Sequence, residues 1–291
     1  MTTIIVDGNN VGIAAAFTHP TLTDPYGRPS GAIYGFLRAV KPMIDRASSE
    51  AEDNVRVIVA WDSSKSWRRE ILDTYKESRR KSKEDEPNEV LESYFEQKPR
   101  LIPMLRMLGV GQISAEGYEA DDIAGWMPRH IPGRSYYMVS NDADWLQLVA
   151  PERSVWQPTR QRLVTTANFT DVTGCDDAQM FLRMKAIIGD KGDDVPGAVG
   201  IGEGFALKYL RGDLKKGKKF DTIKAWEEDE NGYARSLKLV DLHSVDIPME
   251  TLRIIPGEFD RSAFMDKCIE LGFNSILSNL SAWTRPFEAA A

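Results

Sequence analysis

Apolar, strand-like runs that each end in aspartate constrain the fold of this chain more than any other feature of its sequence. The runs are residues 4–6, 55–61 and 136–139, and the acids that follow them are Asp7, Asp62, Asp142 and Asp144. A buried strand that ends in an acid places a carboxylate at the carboxyl edge of a sheet, where α/β proteins bind their ligands. The sequence therefore predicts an α/β fold with several carboxylates at one sheet edge.

The third run follows a second group of acids, which opens a predicted helix over residues 119–127. Glu119, Asp121, Asp122 and the two aspartates after the run place five carboxylates within 26 residues. The helix dipole accounts for one or two acids in a first turn, but not for all of these. Like charges so close repel strongly in a desolvated cleft, and a divalent metal ion bound through oxygen is the usual solution. We interpret the cluster as a Mg²⁺ site for cleaving phosphodiesters.

A last pair of acids, Asp190 and Asp193, follows a predicted helix over residues 177–188. Carboxylates at the C-terminal end of a helix interact unfavourably with its dipole, which again indicates an external cation. The glycine-rich segment 196–206 comes next. Its glycines permit a tight hairpin whose backbone N–H groups can face a phosphate.

Residues 67–83 form a basic run with aromatic side chains, and an acidic run over residues 84–89 follows it. Most charge runs are solvated loops. The alternative is an electrostatic clamp for phosphates, in which Arg68, Lys76 and Arg79 lie on one side of a helix and Tyr75 is available to stack on a base. We favour the clamp because the run lies between acidic strand ends.

The net charge of −7 argues at first sight against a nucleic-acid partner. However, with the nine acids named so far assigned to one metal site, the other 35 of the 44 are outnumbered by 37 Lys and Arg.

Two widely spaced cysteines favour free thiols in a reducing cytosol, and three scattered histidines argue against a histidine metal site. No apolar run is long enough to span a membrane and no signal peptide is recognisable, so we expect a cytoplasmic protein without membrane contact.

The remaining sequence carries weaker signals. Residues 154–157 and 161–165 predict a β-hairpin. After about residue 210, residues 215–219 form a basic loop, and the tail to Phe287 has no motif. We assign this part to packing and to support of a DNA backbone.

Taken in order, these elements resemble the flap endonuclease / 5′-3′ exonuclease family, which includes phage enzymes and the N-terminal nuclease domain of bacterial DNA polymerase I. The resemblance runs from about residue 3 to about residue 245, and the ordered set of motifs is far more specific than any one of them. The motifs are Val6-Asp7-Gly8-Asn9, Gly31-Ala32-Ile33-Tyr34-Gly35, Trp61-Asp62, Trp67-Arg68 with Tyr75-Lys76 and Arg79, Tyr118-Glu119-Ala120-Asp121-Asp122-Ile123, Asp142-Ala143-Asp144, Gly189-Asp190 with Asp193, and Val199-Gly200-Ile201-Gly202.

The resemblance implies a PIN-like, mainly parallel sheet flanked by helices, with a helical arch and a C-terminal helix-hairpin-helix region. It divides the chain into a nuclease core over residues 1–175, which includes the arch over residues 63–100, and a DNA-binding region with a helical extension over residues 176–291. It also implies two or more Mg²⁺ ions, with Mn²⁺ as a substitute, and often K⁺ at the helix-hairpin-helix. The implied metal ligands are Asp7, Asp62, Glu119, Asp121, Asp122, Asp142, Asp144, Asp190 and Asp193.

For DNA, the resemblance implies an arch through which a 5′ single strand passes. Lys76 and Arg79 would lie on the arch, and Lys76 and Arg68 would contact the scissile phosphate in catalysis. The glycine hairpin would bind duplex backbone. The candidate DNA-binding residues are Tyr75, Gly200, Ile201, Gly202 and Lys208.

Two positions depart from the family pattern. Gly204 stands where the family usually has Lys or Arg after Gly-Ile-Gly, and Lys208 is the candidate replacement. Asp194, next to the expected ligand Asp193, occupies a place that is commonly Asn.

We therefore expect a structure-specific DNA nuclease, a 5′-flap endonuclease and 5′-3′ exonuclease of phage replication or repair, which hydrolyses phosphodiesters with metal ions. The expected partner is DNA with 5′ single-stranded ends or flaps, with RNA–DNA hybrids as a further substrate. The expected state is a monomer in the cytoplasm, that of the bacterial host if phage-encoded.

Three other functions are alternatives. A PIN-type ribonuclease would have the same acids. A catalytically silent binder of branched DNA would gain nothing from concentrated negative charge beside phosphates. A haloacid-dehalogenase-type phosphatase needs a second aspartate two residues after Asp7, and that position is Asn9.

Overall fold

A central sheet organises the computed structural model, which describes residues 1–50, 54–85, 88–131, 133 and 135–290. Its strands are β1 (Thr2–Asp7), β2 (Val55–Trp61), β3 (Gly111–Ala115), β4 (Ser135–Val139), β5 (Arg153–Gln157), β6 (Arg162–Val164) and β7 (Leu252–Ile255). They lie in the order β6-β5-β4-β1-β2-β3-β7, and only the edge strands β6 and β7 run antiparallel to their neighbours. The predicted α/β sheet and the predicted hairpin are confirmed. Glu86 and Pro87 of the predicted arch, and Arg134 before β4, lie outside the described residues.

Helices cover both faces of the sheet. They are α1 (Gly8–Thr18), α2 (Gly31–Glu50), α3 (Arg68–Ile71), α4 (Glu77–Asp85), α5 (Glu89–Met107), α6 (Ala120–His130), α7 (Phe169–Thr173), α8 (Ala178–Ile188), α9 (Glu203–Leu210), α10 (Lys218–Glu228), α11 (Tyr233–Val240), α12 (Arg261–Glu270), α13 (Asn274–Leu277) and α14 (Leu280–Ala290), with 3₁₀ turns at Ala143–Leu148 and Met249–Thr251. Side chains alternate along a strand, so Ile4 and Val6 pack toward α1, α2 and α5, whereas Ile5 packs toward α6 and α8. Burial on both faces explains why these strands read as continuous apolar runs. In the described part of the chain, no helix has the length and apolarity to cross a bilayer.

The segment after residue 248 packs on the sheet and on the helices that cover one of its faces. β7 pairs with β3, and Phe264 of α12 and Phe287 of α14 are buried in the same core as α2 and α5. The sequence gives no motif here because the segment is recognisable only by what it packs against. The division at residue 175 stays a prediction, and in this structure β7, Phe264 and Phe287 pack with the first of the two predicted units.

The arch segment begins with two short helices, whereas the sequence predicts one helix that carries all its cations. Between α3 and α4, Lys76 has a φ of 55°, in the left-handed region. Its backbone N–H donates to the carbonyl oxygen of Asp193 at 3.0 Å. The Asp194 carboxylate accepts from both the backbone N–H and the hydroxyl of Ser78, each at 2.8 Å. These bonds fix the base of the arch to the loop after α8.

Candidate active site

The carboxyl ends of β1 and β2 each deliver an aspartate to the same edge of the sheet. Asp7 accepts the backbone N–H of Asn10 at 3.1 Å, as the N-cap of α1, and the hydroxyl of Ser140 at 2.7 Å. Ser140 directly follows β4, so this bond joins the ends of two neighbouring strands. Asp62 follows β2 and accepts the backbone N–H of Ala120 at 2.8 Å, which ties it to the start of α6. The predicted carboxylate edge is therefore present, at the position where doubly wound sheets bind ligands.

Four acids at this edge, Asp7, Asp62, Asp121 and Asp142, form a strongly negative group. Burial and the charge of Asp62, with a smaller effect of Asp142, raise the pKa of Asp7 to about 7. Burial, followed by the charges of Asp142 and Asp7, raises the pKa of Asp121 well above its ordinary value, and the opposing effect of Lys76 does not compensate. The cluster therefore carries negative charge that the neighbouring protein groups do not neutralise.

A second set of acids is paired with lysine. The ammonium of Lys185, in the last turn of α8, lies 2.8 Å from Asp144 and 2.5 Å from Asp190. Burial raises the pKa of Asp144 to about 6 although Lys185 opposes it. At Asp190, burial is the largest effect, but Lys185 and the backbone N–H bonds of Gly192 and Asp193 together outweigh it and lower the pKa. Sequence reasoning missed Lys185. A lysine in the last turn of the helix before an acidic pair is the signal that could have found it.

The arch cations lie against two further acids. Lys76 is 2.6 Å from Glu119 and 3.7 Å from Asp193, and Arg79 is 2.8 Å from Asp193. The Tyr75 hydroxyl lies between the two carboxylates, 2.8 Å from Glu119 and 3.0 Å from Asp193. Tyr75 is only 2% exposed, so the expectation that its ring is available to stack on a base is contradicted.

Arg68 and Asp122 form a buried ion pair at the base of the arch. The guanidinium donates to both Asp122 oxygens, at 2.7 and 3.0 Å, to Glu119 at 3.3 Å and to the carbonyl of Leu239 at 2.7 Å. Asp122, which is fully buried, also accepts from the Trp67 indole N–H and the backbone N–H of Glu119. Four hydrogen bonds from protein donors therefore reach the Asp122 carboxylate. That Asp122 binds metal and that Arg68 contacts the scissile phosphate stay predictions, and in this arrangement the two side chains bond each other.

Asn9 orients Asp62, which the sequence does not reveal. Its amide nitrogen donates to Asp62 at 2.6 Å, and its amide oxygen accepts from the Tyr94 hydroxyl at 2.7 Å and from the Lys98 ammonium at 3.0 Å. The same ammonium lies 4.3 Å from the ring centre of Trp61. Lys98 therefore places a positive charge beside the Asp62 side of the cluster.

The segment from α8 to α9 forms two helices joined by a glycine hairpin (residues 196–202). Gly200 has a φ of 70°, which the turn requires and which favours glycine. Among the described residues, no protein acceptor receives the backbone N–H of Gly200 or of Gly202. Ile201 is 7% exposed, so its side chain anchors the hairpin, and Lys208 is exposed in the last turn of α9.

The donor set fits a hard divalent cation. It consists of carboxylate oxygens, and the free cysteines Cys175 and Cys268 are buried in the apolar cores. As the side chains stand, no three His, Cys, Asp or Glu residues within the described ranges form a ready metal cluster. Binding one ion between several of these acids therefore requires rotation of their side chains toward each other.

Comparison with known proteins identifies the family. Residues 2–174 match the model described as the 5′-3′ exonuclease, N-terminal resolvase-like domain. The chain belongs to the 5′-3′ exonuclease family. A 5′-3′ exonuclease from Aquifex aeolicus is 28% identical over 96% of this chain and 95% of the relative. DNA polymerase I of Geobacillus stearothermophilus is 30% identical over 97% of this chain, which spans only 32% of the polymerase.

The fold of this 5′-3′ exonuclease family member is that of a solved phage enzyme. The T5 5′-exonuclease with bound zinc aligns over the full length of both chains, with a TM-score of 0.68 and 23% identity. The predicted family and PIN-like fold are confirmed, and so is the reaction class, a metal-dependent 5′ nuclease. The T5 5′-exonuclease structure contains bound divalent metal ions.

Proposed function

We propose that this chain cleaves DNA that carries a free 5′ single strand or flap, with Mg²⁺ as its ion and Mn²⁺ as a substitute. The observation that carries the proposal is the convergence of Asp7, Asp62, Asp121 and Asp142 at one sheet edge, where burial and mutual repulsion raise the pKa of Asp7 to about 7. A protein gains nothing from such a cluster beside phosphates unless cations bridge the two.

We assign the ions to this cluster and to the lysine-paired acids that border it. The four clustered aspartates lack sufficient protein counter-charge, so they are the primary ligands. Held by these carboxylates, divalent ions would supply an activated water and would offset charge on the phosphate. The bordering acids that would complete the ligand set are Glu119, Asp144, Asp190 and Asp193.

In the proposed mechanism, Lys76 and Arg79 bind the phosphate at the mouth of the site. Their side chains are 23% and 54% exposed, so a phosphate can reach them and compete with Glu119 and Asp193. Two cations fixed beside a phosphate stabilise charge that builds in the transition state. Arg68 acts from beneath by holding Asp122, which caps the start of α6 where Asp121 projects.

Substrate selection follows from two surfaces in this proposal. The 5′ single strand passes the basic arch, and the duplex lies on the glycine hairpin through non-specific phosphate contacts. A K⁺ ion at the glycine hairpin stays part of the proposal, in which carbonyl oxygens of the hairpin would hold it; the Gly200 carbonyl also accepts the Lys219 ammonium at 2.8 Å. We propose that the enzyme acts as a monomer in the cytoplasm, that of a bacterial host if it is phage-encoded.

A flap assay tests this proposal. A 5′-flap DNA, a blunt duplex, an RNA–DNA hybrid with a free 5′ end and a single-stranded RNA are each incubated with Mg²⁺, with Mn²⁺ or with EDTA. We expect cleavage of the flap DNA near its junction with either ion and none in EDTA. Preferential cleavage of the single-stranded RNA would favour a PIN-type ribonuclease. Flap binding without cleavage under any ion condition would favour a silent DNA-binding protein.

A further inference from the structure

A lysine from outside the glycine hairpin lies on its tip. The Lys219 ammonium donates to the Gly200 carbonyl at 2.8 Å and lies 5.3 Å from the ring centre of Phe205. A Cβ placed on Gly200 would lie 3.4 Å from that ammonium. Lys219 belongs to the first turn of α10, which is held against α9 by the edge-on contact of Phe220 with Tyr209, 5.4 Å between ring centres. The fold, and not the hairpin sequence, therefore brings this charge to the hairpin.

The hairpin has no cation at the position where the family usually supplies one. Gly204 occupies that position, in the first turn of α9, and Lys208 lies one turn further along the helix. The N–H groups of Gly200 and Gly202, which have no protein acceptor among the described residues, lie at the tip that Lys219 contacts. Backbone N–H donors beside an ammonium form a site for a tetrahedral anion such as a phosphate diester.

We propose that Lys219 makes the duplex-phosphate contact that Gly204 cannot make, and that the basic loop at residues 215–219 belongs to the same duplex-binding surface. The inference rests on the proposed function, since it assigns a substrate contact to the same enzyme. Lys219 is half-buried and already directed by Gly200 and Phe205, so little side-chain freedom is lost when a phosphate binds.

The salt dependence of duplex binding gives the expected signature. Each phosphate contact made by a cation contributes about 0.9 to the slope of log affinity against log salt on duplex DNA. Loss of Lys219 should therefore reduce that slope by about 1 and weaken binding about tenfold, equally for all sequences.

The test measures binding of a 5′-flap DNA in EDTA, at about 50 to 200 mM salt. Lys219→Met keeps an unbranched side chain of similar length and removes the charge. The matched control is Lys224→Met on the same helix, whose ammonium pairs with Glu227 at 2.8 Å. We expect the tenfold loss and the smaller slope for Lys219→Met and neither for Lys224→Met. Loss of slope in Lys208→Met, with none in Lys219→Met, would assign the contact to Lys208 and overturn the inference.

A rescue variant makes the test more specific. A Cβ at Gly204 meets no heavy atom within 4 Å, so a lysine fits there without disturbing the hairpin. In the Lys219→Met background, Gly204→Lys should restore both the affinity and the slope. If Lys219 only fastened α10 to the hairpin, its loss would lower the urea midpoint and leave the slope unchanged, which would refute the phosphate contact.

Failure of this inference is distinguishable from failure of the proposed function. If the wild-type chain cleaves the flap and the Lys219→Met variant binds it with unchanged affinity and slope, only the inference is wrong. If the wild-type chain neither binds nor cleaves the flap, both are wrong.

Discussion

Replacing Arg68 with methionine should destabilise the protein rather than simply slow its chemistry. Arg68 is 2% exposed and Asp122 is fully buried, and the guanidinium bonds both carboxylate oxygens, Glu119 and the Leu239 carbonyl. Removing one partner of a buried ion pair leaves an uncompensated charge, which costs about 3–5 kcal/mol of unfolding free energy. A loss of about 4 kcal/mol lowers the ratio of folded to unfolded protein by about three orders of magnitude.

Urea unfolding followed by circular dichroism measures this loss. With an m-value of about 3 kcal/mol per molar, the midpoint for Arg68→Met should fall by more than about 1 M. The control is Arg80→Met on the exposed side of α4, which should stay within about 0.5 kcal/mol of wild type.

A double-mutant cycle isolates the pair. Arg68→Met combined with Asp122→Leu removes both buried charges, so it should be more stable than the sum of the single losses predicts, by about 2 kcal/mol or more. A coupling below about 0.5 kcal/mol would refute the reasoning. So would an Arg68→Met variant as stable as Arg80→Met that had lost only turnover, because Arg68 would then act on the phosphate, as the sequence suggests.

Three further predictions concern the carboxylates and the arch. Asp142→Ala with Asp144→Ala should abolish flap cleavage and leave DNA binding in EDTA largely intact; normal cleavage by this variant would remove both from the metal site. Lys76→Ala should slow single-turnover cleavage about 10²-fold and weaken binding far less, whereas Lys81→Ala, which loses an exposed pair within α4, should do neither. Because the folded-state pKa of Asp7 is raised from 3.8 to about 7, the native state holds its proton more tightly, so in EDTA this group's contribution to stability falls as pH rises from about 4 to 7 and is flat above that range. Asp7→Asn should remove this fall and gain up to about 4 kcal/mol at pH 8, as measured by urea unfolding, and an unchanged pH profile would contradict the raised pKa.

Much of the candidate site can be predicted because its residues stand at fixed places in local patterns. Asp7 is the last residue of β1 and Asp62 directly follows β2. Asp142 caps the 3₁₀ turn that comes after a third apolar strand, β4. The carboxyl ends of neighbouring parallel strands share one sheet edge whatever the loops between them do. The order of these strands, with β1 between β4 and β2, is sufficient to bring the three acids together.

The pairing of each acidic side chain with a particular lysine or arginine cannot be predicted in this way. Arg68 and Asp122 are 54 residues apart, and the carbonyl that completes the guanidinium's bonds is 171 residues away on α11. Lys185 forms ion pairs with both Asp144 and Asp190. Lys219 donates to the hairpin carbonyl of Gly200, which lies on a different segment of the chain. Helical phasing predicts that Tyr75 lies beside the arch cations. In the structure, the left-handed backbone conformation of Lys76 interrupts the helix, and the Tyr75 ring is buried.

The sequence by itself determined the sheet and its acidic edge, and it predicts oxygen ligands that suit a divalent ion, because strand periodicity and residue type are local properties. Only the tertiary structure decided that Asp122 and Arg68 form a buried pair, that Lys76 and Arg79 remain accessible, and that Lys219 contacts the hairpin. The physical reason is that the state of a charged side chain depends on burial and on partners brought by distant segments, and neither is encoded in its neighbours along the chain.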